Sequence, residues 1–454
     1  MNFISINPAN GEKLNEYPMW EGARLEQALA ATASATPLWS ARPLSERSAL
    51  LQRAGEVLLR RRDEYAALMS REMGKLLGEA RAEIEKCARC CEFYAEHAAV
   101  LLADEPANSD AAKSYVAYQP LGTVLAVMPW NFPFWQAIRA AAPALTAGNT
   151  VVLKHADNVP GCALALEAVF REAGFPAGVF QTLMIGIPQV ESVIKDARIA
   201  AVTLTGSERA GRAVGREAGE VLKKCVLELG GSDAFVVLED ADPAKAAEVG
   251  VKSRYQNAGQ SCIAAKRFIV VEKIAEAFLG EFKSRAQALQ CGDPMDPATT
   301  LGPMARFDLR ESLHKQVADA LEKGAKVLLG GEPLAGKGAF YPATILDGVV
   351  PGMRAWSEEL FGPVASVIRV RDEAAALQVA NGTTFGLGGS VWTRDLKRGE
   401  AFARRLQSGS AFVNGLVKSD PRLPFGGIKH SGYGRELSRH GIHEFVNVKT
   451  VWIG

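Results

Sequence analysis

Three residues of this chain are best suited to making and breaking bonds: Cys262, Glu228 and Asn131. Cys262 lies in NAGQSCIAAKRFIVV, a loop ahead of an apolar strand, where Gly259 allows backbone to approach a substrate closely. A thiol that attacks a carbonyl needs an exposed, electropositive setting; an inert core thiol is the other reading. Glu228, in VLELGGSD between an apolar run and two glycines, is placed either to act as a general base or to sit in a surface ion pair. Asn131, in PWNFPF, offers an amide to a developing oxyanion, although the same hexapeptide also makes a rigid aromatic turn. Lys154 follows TVVL at the carboxyl end of a strand, where doubly wound sheets bind ligands; a surface lysine reads the same way. TLTGSERAGRAVG (203–215) reads as strand, turn at Gly206, cap at Ser207 and a helix whose N-terminus accepts a phosphate. It lacks the G-x-G-x-x-G dinucleotide pattern, so an ordinary strand-to-helix turn fits as well. Cys87, Cys90 and Cys91 share one helix face without a second cysteine or histidine pair nearby, which favours core packing over a metal site. No G-x-S-x-G element points to a serine hydrolase.

The elements that must position these residues follow from periodicity. Residues 22–105 are predicted helical, with apolar residues three and four apart in LLQRAGEVLLRRRDEYAALMSREMG and a stop at Gly74. From Lys113 the pattern turns β-rich. From Gln136 helices alternate with the strands NTVVLK, VFQTLMI and IAAVTLTG, which implies right-handed crossovers and a parallel sheet. The fold class is α/β. Residues 1–109 and 124–230 form a doubly wound cofactor domain, and 231–436 a second α/β domain with strands at DAFVVLE, RFIVVE, AKVLLGG and GPVASVIRV and helices at 274–289 and 307–323. EFVNVKTVWI is a β-rich tail without an obvious partner.

At roughly 100–200 residues per domain, 454 residues make two to four domains. A net charge of +1 gives no basic surplus for nucleic acid or anionic membrane. Residues 1–11 lack the features of a secretory signal, and no apolar run reaches the roughly 18 residues of a membrane span. Seven cysteines do not make a disulfide framework, so a cytoplasmic protein with reduced thiols is expected.

Together, INPANGE (6–12), PWNFP (129–133), PALTAGNTVVLKHA (143–156), TLTGS (203–207), LELGGSD (227–233), NAGQSC (257–262), EELFGPV (358–364) and PFGGIKHSGYGRE (424–436) make the chain resemble the aldehyde dehydrogenase superfamily over nearly its whole length. The resemblance implies Cys262 as nucleophile, Glu228 as general base and Asn131 as oxyanion donor beside the Cys262 N–H. It implies Lys154 on the adenosine ribose, Gly206 and Ser207 at the pyrophosphate, Glu359 and Phe361 at the nicotinamide ribose and ring, and backbone contacts from Trp130 and Leu229. It also implies a small β arm, residues 110–123 and 437–454, that completes a partner's sheet in a homodimer or homotetramer.

Within the superfamily the likeness is strongest to succinate-semialdehyde dehydrogenases. That likeness implies Arg139, eight residues past Asn131, as receptor for the substrate carboxylate through its bidentate fork, with Ser419 beside it. A second arginine that many such enzymes carry is Gln256 here, for which Arg254 or Lys418 are candidate replacements. A surface ion pair is the other reading of Arg139, and a longer semialdehyde fits nearly as well. Asp157 favours NAD by repelling a 2′-phosphate, with NADP also open. A thiol acyltransferase would not need Lys154 and Gly206-Ser207, and a purely structural protein would not need Cys262, Glu228 and Asn131.

Overall fold

The computed structural model describes residues 2–454. Strands whose residues are nearly all buried need cover on both faces. Thr123–Met128, Thr150–His155 and Ile199–Thr205 are of that kind and occupy the middle of a six-stranded sheet. Its order is Gly432–Tyr433, Lys224–Glu228, Ile199–Thr205, Thr123–Met128, Thr150–His155, Phe180–Thr182. All pairings are parallel except that of Gly432–Tyr433 with Lys224–Glu228. The chain enters at the middle and winds outward both ways, so a crevice opens at the carboxyl ends where the order reverses. Asn131, Lys154, Gly206 and Glu228 lie at or just past those ends.

The second sheet runs Lys326–Leu329, Thr344–Asp347, Val364–Val370, Ala265–Val271, Asp233–Val237, Gly389–Trp392, Phe412–Val413, with only the first strand antiparallel. Alternate residues face opposite cores. Phe235 and Phe268 meet Phe278 and Phe282 of Glu272–Gln287, whereas Val236 and Ile269 share a cluster with Val317 of Phe307–Glu322 and Leu377 of Glu373–Asn381. Four helices, Gly22–Ser40, Leu44–Arg60, Arg62–Met73 and Leu77–Leu101, pack beside the first sheet, behind an N-terminal hairpin of Asn2–Ile6 with Lys13–Pro18.

The β-rich tail finds its partner within the chain. Val446–Ile453 runs antiparallel to Lys113–Pro120, which also pairs with Glu105–Pro106. Two boundaries differ from the sequence reading. Thr123, expected in the arm, opens a strand of the first sheet, and Gly432–Tyr433, expected in the second domain, joins the first sheet's edge. No helix among the described residues is long and apolar enough to cross a membrane.

Candidate active site

The loop ahead of Ala265–Val271 takes three consecutive left-handed residues, Asn257, Ala258 and Gly259, at φ 53°, 51° and 71°. A Cβ on Gly259 would stand 2.3 Å from the Gly362 carbonyl oxygen, so only glycine fits. Left-handed backbone at Asn257 and Ala258 must be held by its surroundings. The Asn257 N–H donates to Glu79 at 3.0 Å, and its side-chain amide donates to the Asn131 and Gln260 carbonyls at 2.8 and 3.1 Å. Buried Lys266 donates to the carbonyls of Ser261 and Cys262, both at 2.7 Å, and pairs with Glu359 at 3.2 Å. The turn is thereby fixed with Cys262 in the wall of a cavity of about 260 Å³, while Ser261 and Ile263 line a second one of about 380 Å³. Burial pushes the Cys262 thiol up to about 12, against the pull of Arg139 and Lys266. At that value Cys262 stays a thiol near neutral pH, and nucleophilic attack by it would require the loss of that proton.

Asn131 shares the 260 Å³ cavity with Cys262. Its Nδ2 donates to the Gln260 carbonyl at 3.0 Å, leaving the amide's second hydrogen free. A buried clamp holds its backbone. Glu83 accepts the Phe134 and Trp135 N–H groups at 3.0 and 2.9 Å, at the start of helix Pro133–Thr146. Lys75 pairs with Glu83 and donates to the Asn131 carbonyl at 2.8 Å.

Glu228 ends its strand with Oε1 buried and without a hydrogen-bond partner. A Cβ on Gly426 would come within 2.7 Å of that oxygen. Burial pushes the carboxyl up to about 8, with Arg139 and Arg435 pulling down and Glu436 pushing up. A carboxyl raised this far is mostly protonated at neutral pH and gains general-base capacity as pH rises through about 8. The two glycines that follow answer to contact: a Cβ on Gly230 would meet Glu359 at 2.4 Å, and one on Gly231 the Cys262 carbonyl at 2.7 Å.

Trp130, Gly206, Ser207, Leu229, Glu359 and Phe361 line the same cavity as Cys262. Ser207 caps helix Glu208–Glu220, accepting the Ala210 N–H at 3.3 Å. Lys154, at its strand end, pairs with Asp157 at 2.5 Å. Asp157 faces a further cavity of about 800 Å³ with Asn158, Gly186, Ile187 and Arg306. Both polar side-chain atoms of Asn158 are buried without partners, an amide left for a polar ligand to satisfy. The residues therefore fit a dinucleotide: an aromatic slot at Trp130 and Phe361, a helix start for phosphate, and polar groups for a ribose.

The sequence pattern of the aldehyde dehydrogenase family matches residues 1–451. The chain belongs to the aldehyde dehydrogenase family. It is 50% identical over 450 residues to a succinate semialdehyde dehydrogenase named for NAD(P)+ from Escherichia coli strain K12, covering 99% of this chain and 97% of that one. It is 48% identical over 453 residues to a probable succinate-semialdehyde dehydrogenase named for NADP(+) from Synechocystis, covering 100% of both. The crystal structure of succinic semialdehyde dehydrogenase from Streptococcus pyogenes with NADP+ superposes with a TM-score of 0.97 at 40% identity, over 99% of both chains. The protein is thus an NAD(P)-dependent oxidoreductase acting on aldehydes.

The substrate side of this dehydrogenase differs from the sequence reading. Arg139 is neither a free fork nor a surface ion pair. It is 2% exposed, paired with Glu436, donating to Thr205 Oγ1 at 3.2 Å and stacked 4.7 Å over Phe425. Trp135, one turn earlier, lines the 380 Å³ cavity, whereas Arg139 lies a turn deeper, where a buried cation needs a counter-charge of its own. Ser419 is buried and its Oγ accepts from Lys86 Nζ at 2.7 Å. Gln256 and Lys418 line the cavity. Arg254 is fully buried and donates to the Ala265 and Gly259 carbonyls, so it cannot replace the missing arginine. Cys87, Cys90 and Cys91 pack in the core. The sequence reading missed Lys75, Glu83, Lys86, Lys266 and Glu436. One signal was available: Glu79, Glu83 and Lys86 fall at helical spacing on the face that Cys87 and Cys90 bury, where charges need a reason to be.

Proposed function

We propose that this enzyme oxidises succinate semialdehyde to succinate, preferring NAD and accepting NADP, as a cytoplasmic homodimer or homotetramer. The observation that carries the substrate is the 380 Å³ cavity beside Cys262, whose wall holds Lys86, Arg89, Lys252 and Lys418. Its acids are muted, because Glu83 is paired with Lys75 and burial pushes Glu79 up to about 7. The relatives named for succinate semialdehyde support the same reading.

In this reading Cys262 Sγ adds to the aldehyde carbon, its proton released to solvent. The free hydrogen of the Asn131 amide meets the oxygen as charge develops, an interaction of about 3–4 kcal/mol. A dinucleotide held at Trp130, Gly206, Ser207, Leu229, Glu359 and Phe361, with its adenosine ribose at Lys154 and Asp157, supplies the acceptor for the hydride. Glu228 then deprotonates the water that attacks the thioester, the acid departs and Cys262 leaves as thiolate to regain its proton. The NAD preference rests on the Asp157 carboxylate in the ribose cavity; the relatives' names include NADP, so the choice belongs to this residue.

The test is an initial-rate panel of succinate semialdehyde against butyraldehyde, each with NAD and NADP. The expected kcat/KM favours succinate semialdehyde by at least about tenfold, the effect of one charge-assisted contact. Equal values for the two aldehydes would remove the substrate assignment.

A further inference from the structure

The cavity beside Cys262 contains an ammonium group whose neighbouring carboxylates are already engaged. Lys86 Nζ donates to Ser419 Oγ at 2.7 Å and sits 4.1 Å over the Trp135 ring. Glu83 is taken by Lys75 and by two helix N–H groups, and Glu79, on the same wall, accepts the Asn257 N–H. We propose that Lys86, steadied by Ser419 and Trp135, is the receptor for the distal carboxylate of the substrate, and that Arg139 is not. This rests on the reading of the enzyme as a dehydrogenase of a short semialdehyde.

The geometry sets the direction. Ser261 and Ile263 flank the nucleophile and line this cavity, whereas the residues that fit a dinucleotide line the other one. A substrate whose carbonyl carbon is at Cys262 therefore extends its chain toward Lys86. Arg139 already has Glu436 as counter-ion, so a substrate carboxylate there would meet a neutralised cation and another anion. Lys86 lacks that compensation. Burial and then Arg139 push its ammonium down to about 8, and Cys87, Cys90 and Glu83 push it up only in part. An incoming carboxylate stabilises the ammonium form and supplies the counter-ion it lacks. Arg89, Lys252 and Lys418 stand around the same cavity and raise the local concentration of anions. Gln256, on the same wall, is uncharged and leaves the cations to balance the carboxylate.

Two readouts test this in the full-length enzyme. The first is the ratio of kcat/KM for succinate semialdehyde to that for butyraldehyde. The second is the inhibition constant of succinate, which needs no turnover of the bound molecule. Lys86→Met should lower the ratio and raise the succinate constant, each by about 10–150-fold, as loss of one charge-assisted pair implies. Lys86→Arg should restore most of both. Lys86→Gln, which keeps a hydrogen bond to Ser419, serves if the methionine variant folds poorly, and should fall with it. If the wild type prefers succinate semialdehyde and both Lys86 variants keep that ratio, Lys86 is not the receptor. If both aldehydes lose equally, the residue is a packing element and the proposal is overturned. A wild type that neither prefers succinate semialdehyde nor binds succinate would overturn the substrate reading itself, a result separable from the other two.

Discussion

Cys262 and Glu228 both begin the cycle protonated near neutral pH, because burial pushes the thiol to about 12 and the carboxyl to about 8. A carboxyl raised in this way is a poor base below about 8 and becomes carboxylate above it. Steady-state kcat should therefore climb between pH 7 and 9 (roughly one unit either side of that value), and Glu228→Gln should lose that ascending limb while keeping a first-turnover burst of reduced dinucleotide. Loss of the burst, with dinucleotide binding intact, would move Glu228 to an earlier step. Cys262→Ser should abolish oxidation and spare dinucleotide binding, since the hydroxyl is a far weaker nucleophile. Asp157 calls for a smaller expectation. Its side chain is 47% exposed and already paired with Lys154, so water screens its repulsion of a 2′-phosphate. A preference for NAD of about fivefold, roughly 1 kcal/mol, is expected, and Asp157→Ser should reduce it. Higher kcat/KM with NADP in the wild type would reverse the assignment.

At the scale of elements, the site depends on how one loop is fastened to one helix. Lys75 and Glu83 are 0% and 2% exposed in their side chains and tie Asn131, Phe134 and Trp135 to helix Leu77–Leu101. Breaking a buried pair from one side leaves an uncompensated charge, at a cost of about 3–5 kcal/mol. Lys75→Met should lower stability in urea by about that amount and reduce kcat more than it raises KM, because Asn131 acts on the transition state. A variant as stable and active as the wild type would make the pair incidental. This clamp also shows where sequence reading stops. The strands Thr150–His155 and Ile199–Thr205 are continuous apolar runs between helical segments and were legible. Thr344–Asp347, Gly389–Trp392 and Phe412–Val413, of 4, 4 and 2 residues, are too short to show a period and were not. Cys262, Glu228 and Asn131 were legible as candidates because their types and neighbours suit the chemistry. The burial of Arg139 and its ion pair were not legible, because its counter-ion, Glu436, is far away in sequence and only the fold brings the two together.

The whole molecule carries one more apolar surface than a lone chain needs. Val448, Trp452 and Ile453 are 59%, 55% and 46% exposed along Val446–Ile453, the edge strand of the three-stranded sheet. Exposed strand edges invite pairing with another chain. Sedimentation should find a dimer or tetramer of the 48.6 kDa chain, and removal of residues 446–454 should yield a smaller species. A wild-type monomer at micromolar concentration would contradict the assembly.

The central claim is that aldehyde carbon becomes bonded to Cys262 and that Glu228 releases it. Mass spectrometry of Glu228→Gln, quenched after one turnover with NAD and succinate semialdehyde, tests this most directly. The expected result is one succinyl group per chain, mapped to the peptide containing Cys262 and absent when NAD is omitted. A full burst of reduced dinucleotide with no acyl group on Cys262, or with the acyl group on another cysteine, would contradict it.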